Sequence, residues 1–244
     1  MTESARRVCL FTGAGGRLGA MFCSRYAQAY DIVAVYRNRL PAAPSQEAAY
    51  VDPCAPDVPH PLNRHPVTAI RADLRDDADL EMVVDRTLTQ FGRIDLLVNA
   101  AVHSVWAPID SARLAESMAE QFHVNAIVPL KIAASVSRQY WRHRQADENT
   151  AAGRNVVNVS STAGVYAYPH TGQSVYAATK AALNMITCHM ADEFQTMGVR
   201  ANAAAPNSFE IVPSWRVTDA IVAFDRGHDN GRILVMDHDG DYAM

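Results

Sequence analysis

Residues 12–19 read Thr12-Gly13-Ala14-Gly15-Gly16-Arg17-Leu18-Gly19, behind the apolar run Val8-Cys9-Leu10-Phe11 and ahead of a helical pattern near 18–29. Glycine lets the backbone bend sharply and approach a pyrophosphate, and a following helix N-terminus offers unpaired N–H groups to its charge. The stretch therefore reads as a phosphate-binding turn inside a strand–turn–helix unit, or as an ordinary tight connection. The rest of the chain continues the alternation. Apolar runs at 7–11, 32–36, 67–72, 94–99, 155–159, 200–204 and 232–236 are separated by helical patterns near 18–29, 77–90, 113–144 and 174–196. This order predicts an α/β fold, a parallel sheet of about seven strands joined by crossover helices.

Composition narrows the function classes. The 244 residues are 49% hydrophobic, enough for one α/β domain spanning 1–244. A net charge of −4 gives no general attraction to phosphate backbones, so no nucleic-acid partner is expected. The basic group Arg138, Arg142, His143 and Arg144 reads as a solvated helix end. No apolar run is long enough to span a membrane, and Met1 to Arg7 leads into a strand rather than a secretory signal, so a cytoplasmic protein is expected. Cys9, Cys23, Cys54 and Cys188 lack disulfide or metal-ligand spacing, and no metal is expected. One crossover breaks the pattern. Between 40 and 66 lie seven of the twelve prolines, which remove donors and clash inside helices, so this stretch predicts a surface loop or a substrate lid.

A second stretch carries chemistry. Tyr176-Ala-Ala-Thr-Lys180 opens a helical run and sets Tyr and Lys at i and i+4 on one face. A nearby ammonium favours the phenolate and makes the phenol a better proton donor. Upstream, Asn155-Val-Val-Asn-Val-Ser-Ser-Thr-Ala-Gly164 is a strand ending in hydroxyls, of which Ser161 is positioned to hold a substrate oxygen.

Together these residues resemble the short-chain dehydrogenase/reductase family over nearly the whole chain, which implies a single Rossmann-type doubly wound sheet. By this resemblance the catalytic set is Asn125, Ser161, Tyr176 and Lys180. Tyr176 donates the proton, Lys180 lowers its pKa and binds the nicotinamide ribose, Ser161 orients the substrate, and Asn125 holds a water leading to Lys180. The cofactor set is Gly13, Gly15, Arg17, Leu18, Gly19, Arg37, Asp73, Leu74, Asn99, Tyr176, Lys180 and Pro206, with Asp73 against the adenine and Asn99-Ala-Ala-Val102 as a structural turn.

Four departures from the family pattern stand out. Arg17 replaces the central glycine of the turn, and Ala100 and Val102 alter the turn after Asn99. Ser161 lies fifteen residues before Tyr176. The region 207–230 looks like a shortened substrate loop. Arg17 suits the extra phosphate of NADPH, and the second strand ends Tyr36-Arg37-Asn38-Arg39 where NAD-preferring folds place an acid. Arg37 is the second clamp, with Arg39 in reserve. The Arg-Leu-Gly turn also occurs in pteridine reductases of the family.

Substrate-facing candidates by position are His103, Trp106, Tyr166, His170, Phe209 and Trp215. The expected function is NADP(H)-dependent reduction of a small molecule. The alternative is a cofactor-binding sensor or scaffold that has lost turnover. The helical patterns at 113–144 and 174–196 imply, by the same resemblance, a homodimer or homotetramer, with the tail 237–244 at a second interface.

Overall fold

The computed structural model describes residues 6–41 and 67–244; most of the proline-rich stretch at 40–66 thus lies outside the described residues. The order is β1 (Arg7–Thr12), α1 (Arg17–Tyr26), β2 (Tyr30–Tyr36), β3 (Thr68–Arg71), α2 (Asp77–Phe91), β4 (Leu96–Asn99), α3 (Ala112–Phe122), α4 (Val128–Gln139), α5 (Ala146–Ala151), β5 (Asn155–Val159), α6 (Ser174–Gln195), β6 (Arg200–Pro206), α7 (Ser214–Arg226), β7 (Ile233–Asp237) and β8 (Gly240–Ala243). The described strands form one sheet in the order β3-β2-β1-β4-β5-β6-β7-β8. Strands β1 to β7 pair in parallel, and β8 turns back antiparallel on β7.

The parallel strands are apolar on both faces because helices cover both. Along β1, Cys9 and Phe11 enter the layer under α1 and α7, while Leu10 enters the layer under α2, α4 and α6. Strand β2 repeats this with Ile32 and Ala34 against Val33 and Val35. Each such side chain contributes roughly 1.5–3 kcal/mol when fully buried. Trp141 is fully buried in the second layer, and its indole N–H donates to the Ile94 carbonyl at 2.9 Å.

One sequence expectation holds with an addition, and two change. The expected parallel sheet of about seven strands is present as β1 to β7, and the tail 240–243 adds an eighth strand among the described residues on the free edge of β7. The region 207–230 is not mainly loop: Ser214–Arg226 is helix α7, which packs on α1, β5 and β6 and buries Val217, Ile221 and Phe224, leaving 207–213 as the connection. The long pattern at 113–144 is interrupted by a π-helical turn at His123–Ile127 and ends at α4, with Trp141–His143 forming a separate short turn.

Candidate active site

The strand order reverses between β1 and β4, and a crevice opens there at the carboxyl ends of the strands, where ligands of such folds bind. Thr12 holds its two sides together. Its hydroxyl donates to the Val98 carbonyl at 3.3 Å and accepts the Ala100 N–H at 3.1 Å. Gly13 follows with φ +71°, and a Cβ there would sit 2.6 Å from the Ala100 carbonyl oxygen, so neither the conformation nor the space admits a side chain. Helix α1 follows Gly16, which offers no side-chain cap, and has no acid in its first turn, leaving its N–H groups open toward the crevice. A diphosphate fits this cradle.

The crevice is a cleft of ≈ 710 Å³. Its lining includes Gly13, Gly15, Arg17, Leu18, Arg37, Asp73, Leu74, Ser161, Tyr176, Lys180 and Pro206, brought together from five strand ends and helix α6. Two expected cofactor contacts stand behind the wall instead. Asn99 is buried in the sheet and its amide donates to Asn158 at 2.9 Å. Gly19 packs on Ala14, whose Cα lies 2.4 Å from where its Cβ would be. Among the substrate candidates, His103, Trp106 and Phe209 line the cleft, whereas Tyr166, His170 and Trp215 do not. Tyr166 is turned to the tail, its hydroxyl meeting that of Tyr242. His170 is at an exposed turn with φ +61°, and Trp215 lies on α7.

Lys180 is buried, and its ammonium donates to the Val159 carbonyl at 2.8 Å, 5.8 Å from the Tyr176 ring centre. Burial lowers its pKa to about 8. Burial also raises the Tyr176 phenol above its usual value, and a hydrogen bond with Ser161 opposes that rise. The expectation that Lys180 pulls the phenol down is thus not met in the protein alone. Desolvation dominates, and the ammonium spends a donor on the backbone. Ser161 is held by capping the turn Thr162–Gly164, where its Oγ accepts the Ala163 N–H at 3.2 Å. Gly164 lets that turn press onto α6, since a Cβ there would meet the Lys180 carbonyl carbon at 2.7 Å.

Asn125 lies in the π-helical turn, and its side chain is engaged differently from the expected water contact. Its Oδ1 accepts the His103 N–H at 2.8 Å, and its Nδ2 donates to the His103 carbonyl at 2.8 Å and to Thr179 Oγ1 at 3.0 Å. It therefore clamps the segment after β4 to helix α6.

At the β2–β3 end, Arg75 was missed by sequence reading. It bonds Asp73 at 2.8 Å through Nε and Glu120 at 2.6 Å, and it holds the Asp73 carboxyl below its ordinary pKa. Glu120 also stands 3.9 Å from Arg37 and from His103. Nothing local marks either residue, because α3 reaches this end only through the tertiary fold. Among the described residues Arg17 and Arg39 have no ion-pair partner. Nor does any described helix have the length and apolarity to cross a membrane, and no described cluster of three or more His, Cys, Asp or Glu could hold a metal ion.

A family model described as short chain dehydrogenase matches residues 7–217. The chain is 28% identical over 86% of its length to a 2-(R)-hydroxypropyl-CoM dehydrogenase of Xanthobacter autotrophicus, 78% of which is covered. It is 30% identical over 84% of its length to an uncharacterized NAD-dependent oxidoreductase of Mycobacterium tuberculosis, covered over 72%. In fold it is similar to a short chain dehydrogenase from Mycobacterium smegmatis, with a TM-score of 0.76, 24% identity, and coverage of 94% of this chain and 91% of that one.

Proposed function

Because the chain belongs to the short-chain dehydrogenase/reductase family, we propose that this oxidoreductase uses NADPH to reduce a C=O, C=N or C=C bond of a small molecule, with Tyr176 as proton donor. The observation carrying this reading is one cleft lined by Ser161, Tyr176 and Lys180 and by Arg17, Arg37 and Arg39. A bound nicotinamide dinucleotide supplies the hydride. Tyr176 delivers the proton to the reacting oxygen, and Ser161 hydrogen-bonds that oxygen and steadies the phenol. Lys180 holds the ribose with the N–H groups not given to Val159. The turn at Gly13 and Gly15 with the α1 N-terminus holds the diphosphate, and Asp73 with Leu74 meets the adenine. The test is oxidation of NADPH by the purified protein with ketones, imines and pteridines. Binding of NADPH without turnover of any of them would instead mark a sensor or scaffold.

Arg17 and Arg37 carry the cofactor preference. A charge-assisted pair to phosphate contributes about 1.5–3 kcal/mol, so NADPH is expected to bind at least about tenfold tighter than NADH. Replacing both with Ala should remove most of that ratio in calorimetric titrations. Equal affinities in the unaltered protein would overturn the assignment.

We also place the protein in the cytoplasm as a dimer or tetramer. Met118, Phe122, Ile127 and Leu130 form an exposed apolar row along α3, the π-helical turn and α4, and Met185 is 61% exposed on α6. Leu130→Glu is expected to convert the assembly to a smaller species by sedimentation at micromolar protein. A wild-type monomer would refute the proposal.

A further inference from the structure

The segment between β4 and α3 has no regular hydrogen bonding of its own, yet it is pinned at every second residue. The His103 N–H donates to Asn125 Oδ1 at 2.8 Å, the Val105 N–H to Gln121 Oε1 at 3.1 Å, and the Ala107 N–H to the Gly172 carbonyl at 3.0 Å. Asn125 and Gln121 are fully buried, so these anchors do not exchange readily with water. Alternating with them, Val102, Ser104 and Trp106 are exposed and line the cleft. Exposure alternates along this segment, so the anchored backbone presents a valine, a hydroxyl and an indole to the cleft, with the half-buried His103 among them. The indole stands beside the proposed proton donor, with the Trp106 and Tyr176 ring centres 6.5 Å apart.

Charge is distributed unevenly along the same cleft. The lining residues after β1, β2 and β3 include Arg17, Arg37, Arg39, Asp73 and Arg75. Those after β4, β5 and β6 include no Asp, Glu or Arg; apart from the catalytic phenol and its neighbour Tyr168, their titratable groups are His103 and the buried Lys180. The sheet order sets β3-β2-β1 on one side and β4-β5-β6 on the other, so these are two separate halves. Tyr168 and Phe209 add two further rings to the uncharged half, and Thr171 and Gln173 add neutral polar groups.

Resting on the reductase reading, we propose that the substrate is an uncharged molecule with a flat aromatic or unsaturated ring beside its reactive carbonyl, and that Val102, Ser104 and Trp106 form the rigid wall that receives it. Among the described residues, a carboxylate or sulfonate buried here would find no arginine and, besides His103, only Lys180, which is already engaged, so it would be penalised by desolvation. A ring gains contact area and edge or offset packing against the indole. Because buried side chains hold the wall in place, little ordering is lost when the ring binds. Gln121 acts as a positioning residue for it.

The test measures binding and turnover separately. Acetophenone and para-acetylbenzoate share a reactive ketone and a ring and differ by one charge. Each is titrated calorimetrically into the protein saturated with NADP⁺, and each is assayed for NADPH oxidation. Acetophenone is expected to bind at least about tenfold tighter than the carboxylate. Trp106→Ala should weaken acetophenone at least about fivefold, and Trp106→Phe should restore most of the loss. Gln121→Leu should raise KM for acetophenone more than it lowers kcat. Equal or tighter binding of the carboxylate, or unchanged acetophenone affinity in Trp106→Ala, would overturn the proposal even if NADPH is oxidised. Trp106-dependent binding with no oxidation of NADPH would leave the wall standing and sink the reductase reading.

Discussion

Replacing Tyr176 with Phe is expected to lower turnover by about 10²- to 10⁴-fold, the usual contribution of a positioned general acid. The fold and most NADPH affinity should survive, because the aromatic ring is retained and the glycine turn, the arginines and Lys180 still line the cleft. Burial keeps the Tyr176 phenol protonated beyond the ordinary range, and reduction needs that protonated form. The reduction rate should accordingly fall only at alkaline pH, as the phenol ionises. Ser161→Ala removes the hydrogen bond that favours the phenolate, so it should move this fall to still higher pH while slowing the chemical step. Lys180→Ala should weaken cofactor binding. Its ammonium, with a pKa lowered to about 8, is charged below that pH and loses its charge above it, so the loss of affinity should be largest on the acid side. Near-full activity of Tyr176→Phe with a competent substrate would remove the proton-donor assignment, and the proton would then come from water or from the substrate.

Asp225→Ala is expected to cost about 3–5 kcal/mol of stability, a large share of the roughly 5–15 kcal/mol that holds a typical domain folded. The Asp225 side chain is fully buried on α7. It accepts Arg7 Nε at 2.9 Å, Arg7 Nη2 at 2.7 Å and the Tyr30 hydroxyl at 2.8 Å, which joins α7 to the starts of β1 and β2. Removing the carboxylate leaves a half-buried guanidinium with backbone carbonyls of Ala152 and Gly153 but no countercharge, and leaves a buried phenol hydroxyl without its acceptor, which is dearer than never having formed the pair. Asp225→Asn retains an acceptor and should lose less. This cluster lies at the amino ends of the strands, opposite the cleft, so NADPH affinity of the folded fraction should not change. Urea unfolding at constant m-value measures the loss. A change below about 1 kcal/mol would show that Arg7 and Tyr30 find other partners and that the network is redundant.

Most strands and helices were legible because their signals are local. A parallel strand covered on both faces appears as a short apolar run, and α2 announces itself with Asp76, whose side chain accepts the Ala78 and Asp79 N–H groups. Helix α7 was not legible. Its apolar positions Val217, Ile221 and Phe224 are spaced for a helix, but a short run between a shortened loop and the last strand carries no N-cap side-chain signal, and packing on α1 decides it. Strand β8, Gly240-Asp-Tyr-Ala243, is short and exposed throughout, so only the free edge of β7 makes it a strand.

The site divides in the same way. What the sequence by itself determined is everything written at fixed spacing along one element: the glycine turn before α1, Tyr176 and Lys180 one turn apart on α6, and the arginines at the end of β2. These follow from backbone sterics and helix periodicity, which act over a few residues. What only the tertiary structure decided is which strand ends share a cleft. It turned Asn99 into the sheet, sent Tyr166 to the tail and kept His170 and Trp215 out of the cleft. It brought Arg75 and Glu120 to the Asp73 end and gave Asn125 to the backbone of His103. Those outcomes depend on contacts between residues distant in sequence, and on burial, which raised the Tyr176 phenol where the neighbouring Lys180 alone would have lowered it.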